Sequence, residues 1–354
     1  MEMDMDSTVA DILIKIGGKK LSTEVVDVLI SLKVSAMIGT ASISKLNFFD
    51  DSAILQANKS FEVGQSMQIS IGSEEKATVI FEGDITRLDY IFSAGESDKV
   101  QVIAYDGLHR LSKIWHSRAF VKKKISDIAT TMASEAKLSG NKIDATTVTH
   151  DHLYQNNQSN LDFLRMHAKR LGYELGIDKK GLIFKKARYK KPAKSGIVLE
   201  WGDDLMEYTA RIDTSDILAA VVVSSWDPDT KKNIETTVKA GSETKVGSVK
   251  TLGSSLVSKK LKSEAKVYRL DFPQLTKAEA KEIATTHLTM ASLNYLKSEG
   301  LCRGEPKFNL GETLEVKGVG DKISGTYYIS SYEHIYSSKG FKTSFELQAN
   351  GVFT

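Results

Sequence analysis

Apolar and polar residues alternate with a period of two along much of the chain, and two stretches share both this alternation and the turn before it. Residues 61–67 (FEVGQSM) and 308–314 (FNLGETL) have the form Phe-x-x-Gly-x-x-(large apolar residue), and each leads into an alternating run. The glycine suits a turn that needs a positive φ, and the alternation places one face of each strand on a core. The pattern therefore predicts a β-meander that is built twice.

The order of the later elements extends the likeness between the two copies. Each alternating run is followed by a glycine that we expect to open a long strand, over residues 84–92 and 326–336, and each copy closes with a strand at 99–105 or 342–348. Chance recurrence of a turn motif is the alternative, and the shared order of elements favours duplication over it. The positions that define the duplicated module are Phe61, Gly64, Met67, Gly83, Phe308, Gly311, Leu314 and Gly325.

The hydrophobic period changes near residue 106. Residues 1–105, which include a β-branched stretch at 25–34, contain about six predicted strands, enough to close a small barrel without exposed edges. Residues 106–200 combine helical periods with a hairpin, which predicts a small α+β domain; its second long helix begins after Ser159.

The last part of the chain returns to strands. Residues 201–298 would hold linking strands, a long mobile loop at 241–258 that is rich in Ser, Gly, Lys and Thr, and a long helix capped by Thr276. Residues 299–354 would form the second barrel module, completed by strands from earlier in the chain. The predicted fold class is α+β, mainly β, with two similar small β-barrel modules and an α+β insertion between them.

Composition narrows the function classes. The net charge is +3, from 48 basic and 45 acidic residues, so the chain has no global nucleic-acid signature. Cys302 is the only cysteine, which excludes an intramolecular disulfide and fits synthesis in the cytoplasm. The first six residues lack a secretion-signal pattern, and no apolar run approaches 18 residues, so we expect no membrane insertion.

Candidate chemistry is sparse along the sequence. His150 and His152 would point the same way from a strand and could share a metal ion, but a polar loop is the alternative and no further ligand is near in sequence. Asp203 and Asp204 could act as paired carboxylates or lie in a solvated turn. Cys302, beside a cation, could be a nucleophile, but no base is identifiable. We therefore predict no catalytic residue, no metal and no cofactor.

A basic run offers one further binding site. It consists of Lys185, Lys186, Arg188, Lys190 and Lys191, with Tyr189 inside it. This run could follow a nucleic-acid backbone. A hairpin end that meets solvent or an acidic partner surface is the alternative that we favour, and we do not expect nucleic acid to be a partner.

Several stretches, taken in order, resemble one protein family. They are residues 104–111 (AYDGLHRL), 154–159 (YQNNQS), 163–164 (FL), 172–174 (GYE), 221–228 (VVVSSWDP), 300–304 (GLCRG), 308–311 (FNLG) and 325–329 (GTYYI), with His334. Their order and spacing resemble the phage late control gene D protein family. That family comprises the tail hub proteins of contractile phages and related injection machines, and the first part of the valine-glycine repeat spike proteins of type VI secretion.

The resemblance implies a structural role. It implies a homotrimer in which two similar barrels per chain form a ring of six, so that a sixfold tail tube can join a threefold spike. The implied partners are the chain itself, the tail tube ring, a spike protein and other baseplate proteins. The implied location is the tail or baseplate of a virion or phage-tail-like particle, after synthesis and assembly in the cytoplasm.

Two departures from the family pattern qualify the resemblance. Ser225 stands where many members have Gly before Trp226, and the chain reaches Thr354 without the oligonucleotide-fold domain and β-helix of the fused spike proteins. We therefore expect the spike to be a separate subunit. A cell-wall-acting hydrolase, based on the scattered Asp, Glu and His residues, and a nucleic-acid-binding module remain alternative functions at this point.

Overall fold

In the computed structural model, strands from the first part and the last part of the chain form a single long sheet. The structure describes residues 11–50, 61–73, 75–189, 196–227, 230–260, 266–273 and 275–354. The fold is α+β and mainly β, as the sequence predicts. None of the helices in these ranges combines the length and the apolar character that crossing a bilayer requires.

The first part of the chain is built mainly from strands. Its elements are β1 (Ile12–Ile16), β2 (Lys19–Lys20), α1 (Thr23–Asp27), β3 (Leu29–Met37), β4 (Ile43–Phe49), β5 (Ser66–Ile71), β6 (Thr78–Ile91) and β7 (Lys99–Tyr105). The stretch at 25–34, predicted to be one strand, begins instead inside α1 and enters β3 at Leu29. Glu24 lies in the first turn of α1, and Val25 is buried, so apolar β-branched residues here also serve a short helix.

The middle part mixes helices and short strands. Its elements are α2 (Leu108–Ser112), β8 (Trp115–Lys123), α3 (Ile125–Glu135), β9 (Lys142–Ile143), β10 (His150–Ser159), α4 (Asn160–Leu171), β11 (Tyr173–Asp178) and β12 (Gly181–Lys186). The Ser159 hydroxyl accepts a hydrogen bond from the Asp162 N–H, which caps α4 as its sequence predicts. Apolar residues of α3 and α4 pack on β11 and β12 in one core.

The last part returns to the long sheet after an inserted unit. Its elements are β13 (Val198–Glu200), β14 (Leu205–Ile212), β15 (Leu218–Asp227), β16 (Lys232–Lys239), β17 (Thr251–Leu252), α5 (Gly253–Lys260), β18 (Lys266–Pro273), α6 (Lys277–Ser292), β19 (Leu296–Arg303), β20 (Thr313–Lys317), β21 (Gly325–Ser337), β22 (Gly340–Ala349) and β23 (Gly351–Val352). Thr276 and Glu279 form the predicted capping box of α6.

The long sheet contains the same five-strand order twice. Its main path runs β14-β19-β22-β21-β3-β4-β7-β6-β5-β1-β2, and β20 pairs with β21. We name β3–β7 the first module, in the order β3-β4-β7-β6-β5, and name β14 with β19–β22 the second module, in the order β14-β19-β22-β21-β20. The modules meet where β3 pairs antiparallel with β21, from Ser31 opposite Ser337 to Met37 opposite Ser331. We call this ladder the internal seam.

The predicted pair of closed barrels is not found in the described ranges, where no sheet closes on itself. The reason is the internal seam. One edge of β3 pairs with β4 and the other with β21, so β3 extends a shared sheet instead of closing its own module. Each module nevertheless has its own hydrophobic core.

The second module is interrupted between its first two strands. Residues 213–295 leave the sheet after β14 and return before β19; they include a three-stranded sheet, β16-β15-β18, on which α6 packs. The two ends of this insertion lie together, because the Asp213 N–H donates to the Tyr295 carbonyl at 2.9 Å. The sequence assigned this region to linking strands and did not reveal that it divides a module.

The prediction of a mobile loop at residues 241–258 is wrong. The segment contains β17 and the start of α5, and its apolar residues Val246, Val249 and Val257 are buried. The Asn350 side chain also accepts the Val246 N–H at 3.0 Å. The Ser- and Gly-rich composition suggested a loop, but the few apolar residues spaced along it determine its packing.

Adjacent phenylalanines on β4 provide a test of the first core. Phe48 is fully buried, whereas Phe49 points to the other face and is 43% exposed. We expect Phe48→Ala to lower the free energy of unfolding by about 3–5 kcal/mol, because it removes a large side chain and leaves a cavity. Phe49→Ala is the matched control and should cost less than about 1 kcal/mol. Urea unfolding measures both, and equal losses would contradict the assigned faces.

Candidate functional site

The two Phe-x-x-Gly turns dock on the long strands by the same pair of hydrogen bonds. In the first module the Gly64 N–H donates to the Ile85 carbonyl at 2.8 Å, and the Ile85 N–H donates to the Gln65 carbonyl at 2.9 Å. In the second module the Gly311 N–H donates to the Ile329 carbonyl at 3.2 Å, and the Ile329 N–H donates to the Glu312 carbonyl at 2.9 Å. Both glycines have positive φ, +93° and +74°. The two turns therefore hold the same place in their modules.

The apolar positions of the motif also lie in similar settings. Phe61 is buried against Phe48, with ring centroids 5.2 Å apart, and Phe308 is buried against Phe345 at 5.7 Å. Met67 and Leu314 both lie buried on the strand that follows the turn. No one of these residues is in a helix, and each contributes to the core of its own module.

The remaining two glycines do not occupy equivalent positions. Met67 lies opposite Gly83, whereas Leu314 lies opposite Tyr327, so Gly83 corresponds to Tyr327 and Gly325 is displaced by two residues. The prediction that Gly83 opens a strand is also wrong, because β6 begins at Thr78. An added Cβ would meet the Tyr105 carbonyl at Gly83 and the Phe353 ring at Gly325. A different neighbour therefore excludes a side chain at each of these two positions.

A shared β-bulge fixes the correspondence between the two long strands. The pairing of β6 with β7 shifts between Ile85 and Arg87, and that of β21 with β22 shifts between Ile329 and Ser331. Because a bulge redirects the strand and increases its twist, the two modules bend at the same place.

The solvent-facing side of the sheet carries polar side chains that bond across strands. Gln101 donates to Asn47 at 2.7 Å, and the Asn47 amide donates to Ser31 at 2.9 Å, which links β7, β4 and β3. Across the internal seam, Glu333 accepts hydrogen bonds from Ser35 at 2.6 Å and from Lys33 at 3.2 Å. We call this surface the polar face. Its cross-strand hydrogen bonds occur within the first module and across the internal seam.

The polar face forms a shallow groove of about 700 Å³ where the second module meets the internal seam. Its acidic lining residues are Glu207, Glu299, Glu333 and Glu346. The groove is open and spans several strands. It is therefore a shallow surface and not an enclosed substrate pocket. Carboxylates and hydroxyls on such a surface keep it hydrated.

The histidine and carboxylate candidates are scattered. His150 and His152 lie on β10, and burial lowers the pKa of His150. Across the described ranges, no three His, Cys, Asp or Glu side chains lie close enough together to hold a metal ion. Asp203 is exposed, and Asp204 accepts the Glu200 N–H at 2.6 Å, as a turn residue does.

Cys302 and His334 lie in the core of the second module, and both are fully buried. Burial raises the pKa of the Cys302 thiol to about 12. A nucleophilic cysteine needs the opposite shift, so this thiol is suited to packing. Burial lowers the pKa of His334 to about 3, and its Nδ1 lies 3.0 Å from the Thr343 hydroxyl.

The basic run is engaged with acidic residues of the same chain. Lys186 pairs with Glu282 at 2.7 Å, and Lys185 lies 3.6 Å from Glu174. Arg188 lies 3.7 Å from an Asp144 oxygen. Tyr189 packs on Tyr328 with ring centroids 5.1 Å apart, whereas Lys190 and Lys191 fall outside the described residues. The described part of the run therefore connects elements of the fold.

Two buried carboxyl groups, which the sequence did not single out as a site, join the middle part to the modules. Glu174 accepts a hydrogen bond from the Tyr328 hydroxyl at 2.9 Å, and Asp106 accepts the Ser42 and Leu108 N–H groups at 2.9 Å each. Burial raises the pKa of both side chains. The Gly-Tyr-Glu segment at 172–174 was the available sequence signal for Glu174.

The sequence matches one family model. The family model described as the Alg8 N-terminal domain matches residues 6–338. The chain belongs to this family. No curated protein matches this sequence.

Solved structures show the same fold. The 43 kDa tail protein of prophage MuSo2 from Shewanella oneidensis is 13% identical, with a TM-score of 0.69 over 96% of this chain and 98% of that one. The tail protein from Neisseria meningitidis MC58 is 12% identical, with a TM-score of 0.70 over 97% and 98%. The E. coli c3393 protein, a type VI secretion component, is 11% identical, with a TM-score of 0.63 over 95% and 76%.

The paired glycines of the Phe-x-x-Gly turns provide a test of the two settings. Gly64→Ala should cost about 1–2 kcal/mol of unfolding free energy, because an L-residue is strained at positive φ. Gly311→Ala should cost more, because its added Cβ would also lie 2.6 Å from the Glu174 carboxylate. Gly176→Ala, where a Cβ meets nothing within 4 Å, is the control and should change stability by less than about 0.5 kcal/mol. Equal costs at Gly64 and Gly311 would refute the difference in setting.

Two buried histidines predict how stability depends on pH. His334 and His167 are 0% and 4% exposed, and burial lowers the pKa of each from 6.5 to about 3. Between these values each histidine binds a proton in the unfolded chain and not in the folded one, so its contribution lowers the free energy of unfolding as the pH drops below 6.5. The slope should be about 1.4 kcal/mol per pH unit for each histidine.

Denaturant unfolding between pH 7.5 and 4.5 measures this slope. His334→Phe and His167→Phe should each reduce the slope of unfolding free energy against pH by about 1.4 kcal/mol per pH unit, whatever their effect on stability at neutral pH. A slope that neither variant reduces would show that these histidines do not control the acid response.

Proposed function

We propose that this chain is a structural hub of a contractile tail or injection system, related to the late control gene D proteins. In this proposal three copies form a ring that joins a sixfold tail tube to a threefold spike. The observation that supports it most directly is the repeated strand order in the two modules, joined by the internal seam into one sheet.

The duplication provides the mechanism for matching the two symmetries. Three chains with two modules each present six similar surfaces to a tube ring. The same three chains present only three copies of every other feature, including the unit at residues 213–295 that interrupts only the second module. Closed rings are the expected product of head-to-tail contacts between copies of one chain.

Fold similarity supports the same role. The structures that share this fold include two tail proteins and a type VI secretion component that resembles the T4 tail proteins gp27 and gp5. In a hub, function resides in shape and in contact surfaces, and stable interfaces of this kind bury on the order of 2,000 Å² or more. The polar face, with its hydrogen-bonded ladder, would line the ring as a hydrated wall.

The proposed partners follow from this position. They are other copies of the chain, the tail tube ring, a threefold spike and other baseplate proteins, in a particle assembled in the cytoplasm. We propose the units of assembly as residues 1–105, 106–200, 201–298 and 299–354, with β14 counted in the second module although it comes earlier in the chain.

Mass and symmetry test this proposal. Purified full-length chain should sediment with three times the mass of the chain, and class averages from electron microscopy should show rings with threefold symmetry and six similar lobes. Mixing with a spike or tube protein should not be needed for the ring to form. A strictly monomeric protein at high concentration, absent from any tail-like particle, would contradict the proposal.

A further inference from the structure

Two strand edges of the long sheet have no strand partner within the described ranges. β14 pairs with β19 on one side only, and β6 beyond Ile85 pairs with β7 on one side only, because β5 ends its ladder with β6 at Asp84. We call residues 207–213 the β14 edge and residues 87–92 the β6 edge. Unprotected edges of this length invite pairing with another strand.

These two edges are the counterparts of the two strands that form the internal seam. β3 begins the first module as β14 begins the second, and β21 is the long strand of the second module as β6 is of the first. The internal seam therefore shows how a first strand and a long strand of these modules pair. It also supplies a register.

Following the ladders across each module gives the corresponding residues. One row of directly opposite residues contains Asp84, Tyr105, Ile43 and Ser35, and the same row in the second module contains Tyr328, Gln348, Lys297 and Arg211. Arg211 therefore occupies the place of Ser35. On the long strands Arg87 and Ser331 both follow the shared bulge, so Asp89 occupies the place of Glu333, which lies opposite Ser35.

We propose that the β14 edge of one chain pairs antiparallel with the β6 edge of a second copy, in the register of the internal seam, with Arg211 opposite Asp89. This inference rests on the proposed ring and specifies its contact. The seam between copies extends the sheet and its polar face from each chain into the next.

Charge on the polar face favours this register. The same correspondence places Arg87 opposite Asp213, because Ser331 lies opposite Met37 in the internal seam. Within one chain Arg87 pairs with Asp89 at 2.7 Å, and Asp213 accepts the Ser215 N–H at 2.8 Å. The new seam gives each of these charged side chains an additional partner of opposite charge directly across from it. A shift by two residues would place Asp89 opposite Asp213, or Arg87 opposite Arg211. Like charges directly opposite each other are destabilising, so the charges select one register.

The core-facing side of the two edges is apolar and exposed. Phe92 at the end of the β6 edge is 66% exposed, and Ile212 on the β14 edge is 46% exposed. In the proposed register Leu88 faces Ile212 and Tyr90 faces Ala210. The matching residues of the internal seam, such as Val34 and His334, are buried. Pairing with a second copy would remove these side chains from water.

Cysteine cross-linking of the full-length protein tests the register. Asp89→Cys combined with Arg211→Cys should link separate chains on mild oxidation and give covalent trimers on a denaturing gel. Asp89→Cys with Asp213→Cys, which reports the shifted register, should link poorly. Ser35→Cys with Glu333→Cys is the positive control and should close within one chain. Native Cys302 is buried and should not interfere.

Charge reversal provides the second arm. Arg211→Asp places like charges across the seam and should weaken association about tenfold in sedimentation, and adding Asp89→Arg should restore most of it. A circular dichroism spectrum that matches the wild type would show that the single variant still folds.

The outcomes separate this seam from the proposed hub. Trimers with no Asp89–Arg211 cross-link, or with efficient linking of the shifted pair, overturn the seam and leave the hub in place. Cross-linked ladders longer than three chains support the seam and overturn the trimer. A wild-type chain that stays monomeric overturns both.

Discussion

The internal seam between β3 and β21 is the constraint on which the architecture depends. A strand edge can be paired only once, so the ladder between Ser31–Met37 and Ser331–Ser337 removes the possibility that either module closes on itself. It also brings together residues from the two ends of the chain, and it places Val34 and His334 in a common buried layer. The extension of the polar face across the seam and the two open edges are both results of this single pairing.

Polar contacts that are partly or fully buried join the middle part of the chain to the region of that seam. The Gly39 N–H donates to the Leu175 carbonyl at 3.0 Å, and the Arg165 guanidinium donates to the Gly39 carbonyl at 2.9 Å. Glu174 adds its bond to Tyr328 on β21 from the same side. Buried polar groups are costly when unpaired, so these contacts specify one arrangement of the middle part against the sheet.

Local features of this fold could be predicted from the sequence, and long-range pairings could not. The Phe-x-x-Gly turns and the caps at Ser159 and Thr276 depend on residues within a few positions, and each forms as its pattern predicts. The seam instead joins Ser35 to Glu333, and no short-range pattern encodes that contact. Pairing Gly83 with Gly325 gave the wrong correspondence between β6 and β21. The bulges after Ile85 and Ile329 determine that correspondence, and no glycine marks them in the sequence.

The inserted unit leaves and rejoins the sheet at one point, where Asp213 and Tyr295 share a backbone hydrogen bond. Because the insertion begins and ends at this hydrogen bond, a change in its length would leave the pairing of β14 with β19 in place. Among the described residues, only the second module has an insertion between its first two strands. In the proposed ring, lobes without this insertion would therefore alternate with lobes that carry it, so the insertion would occur three times on a ring of six similar modules.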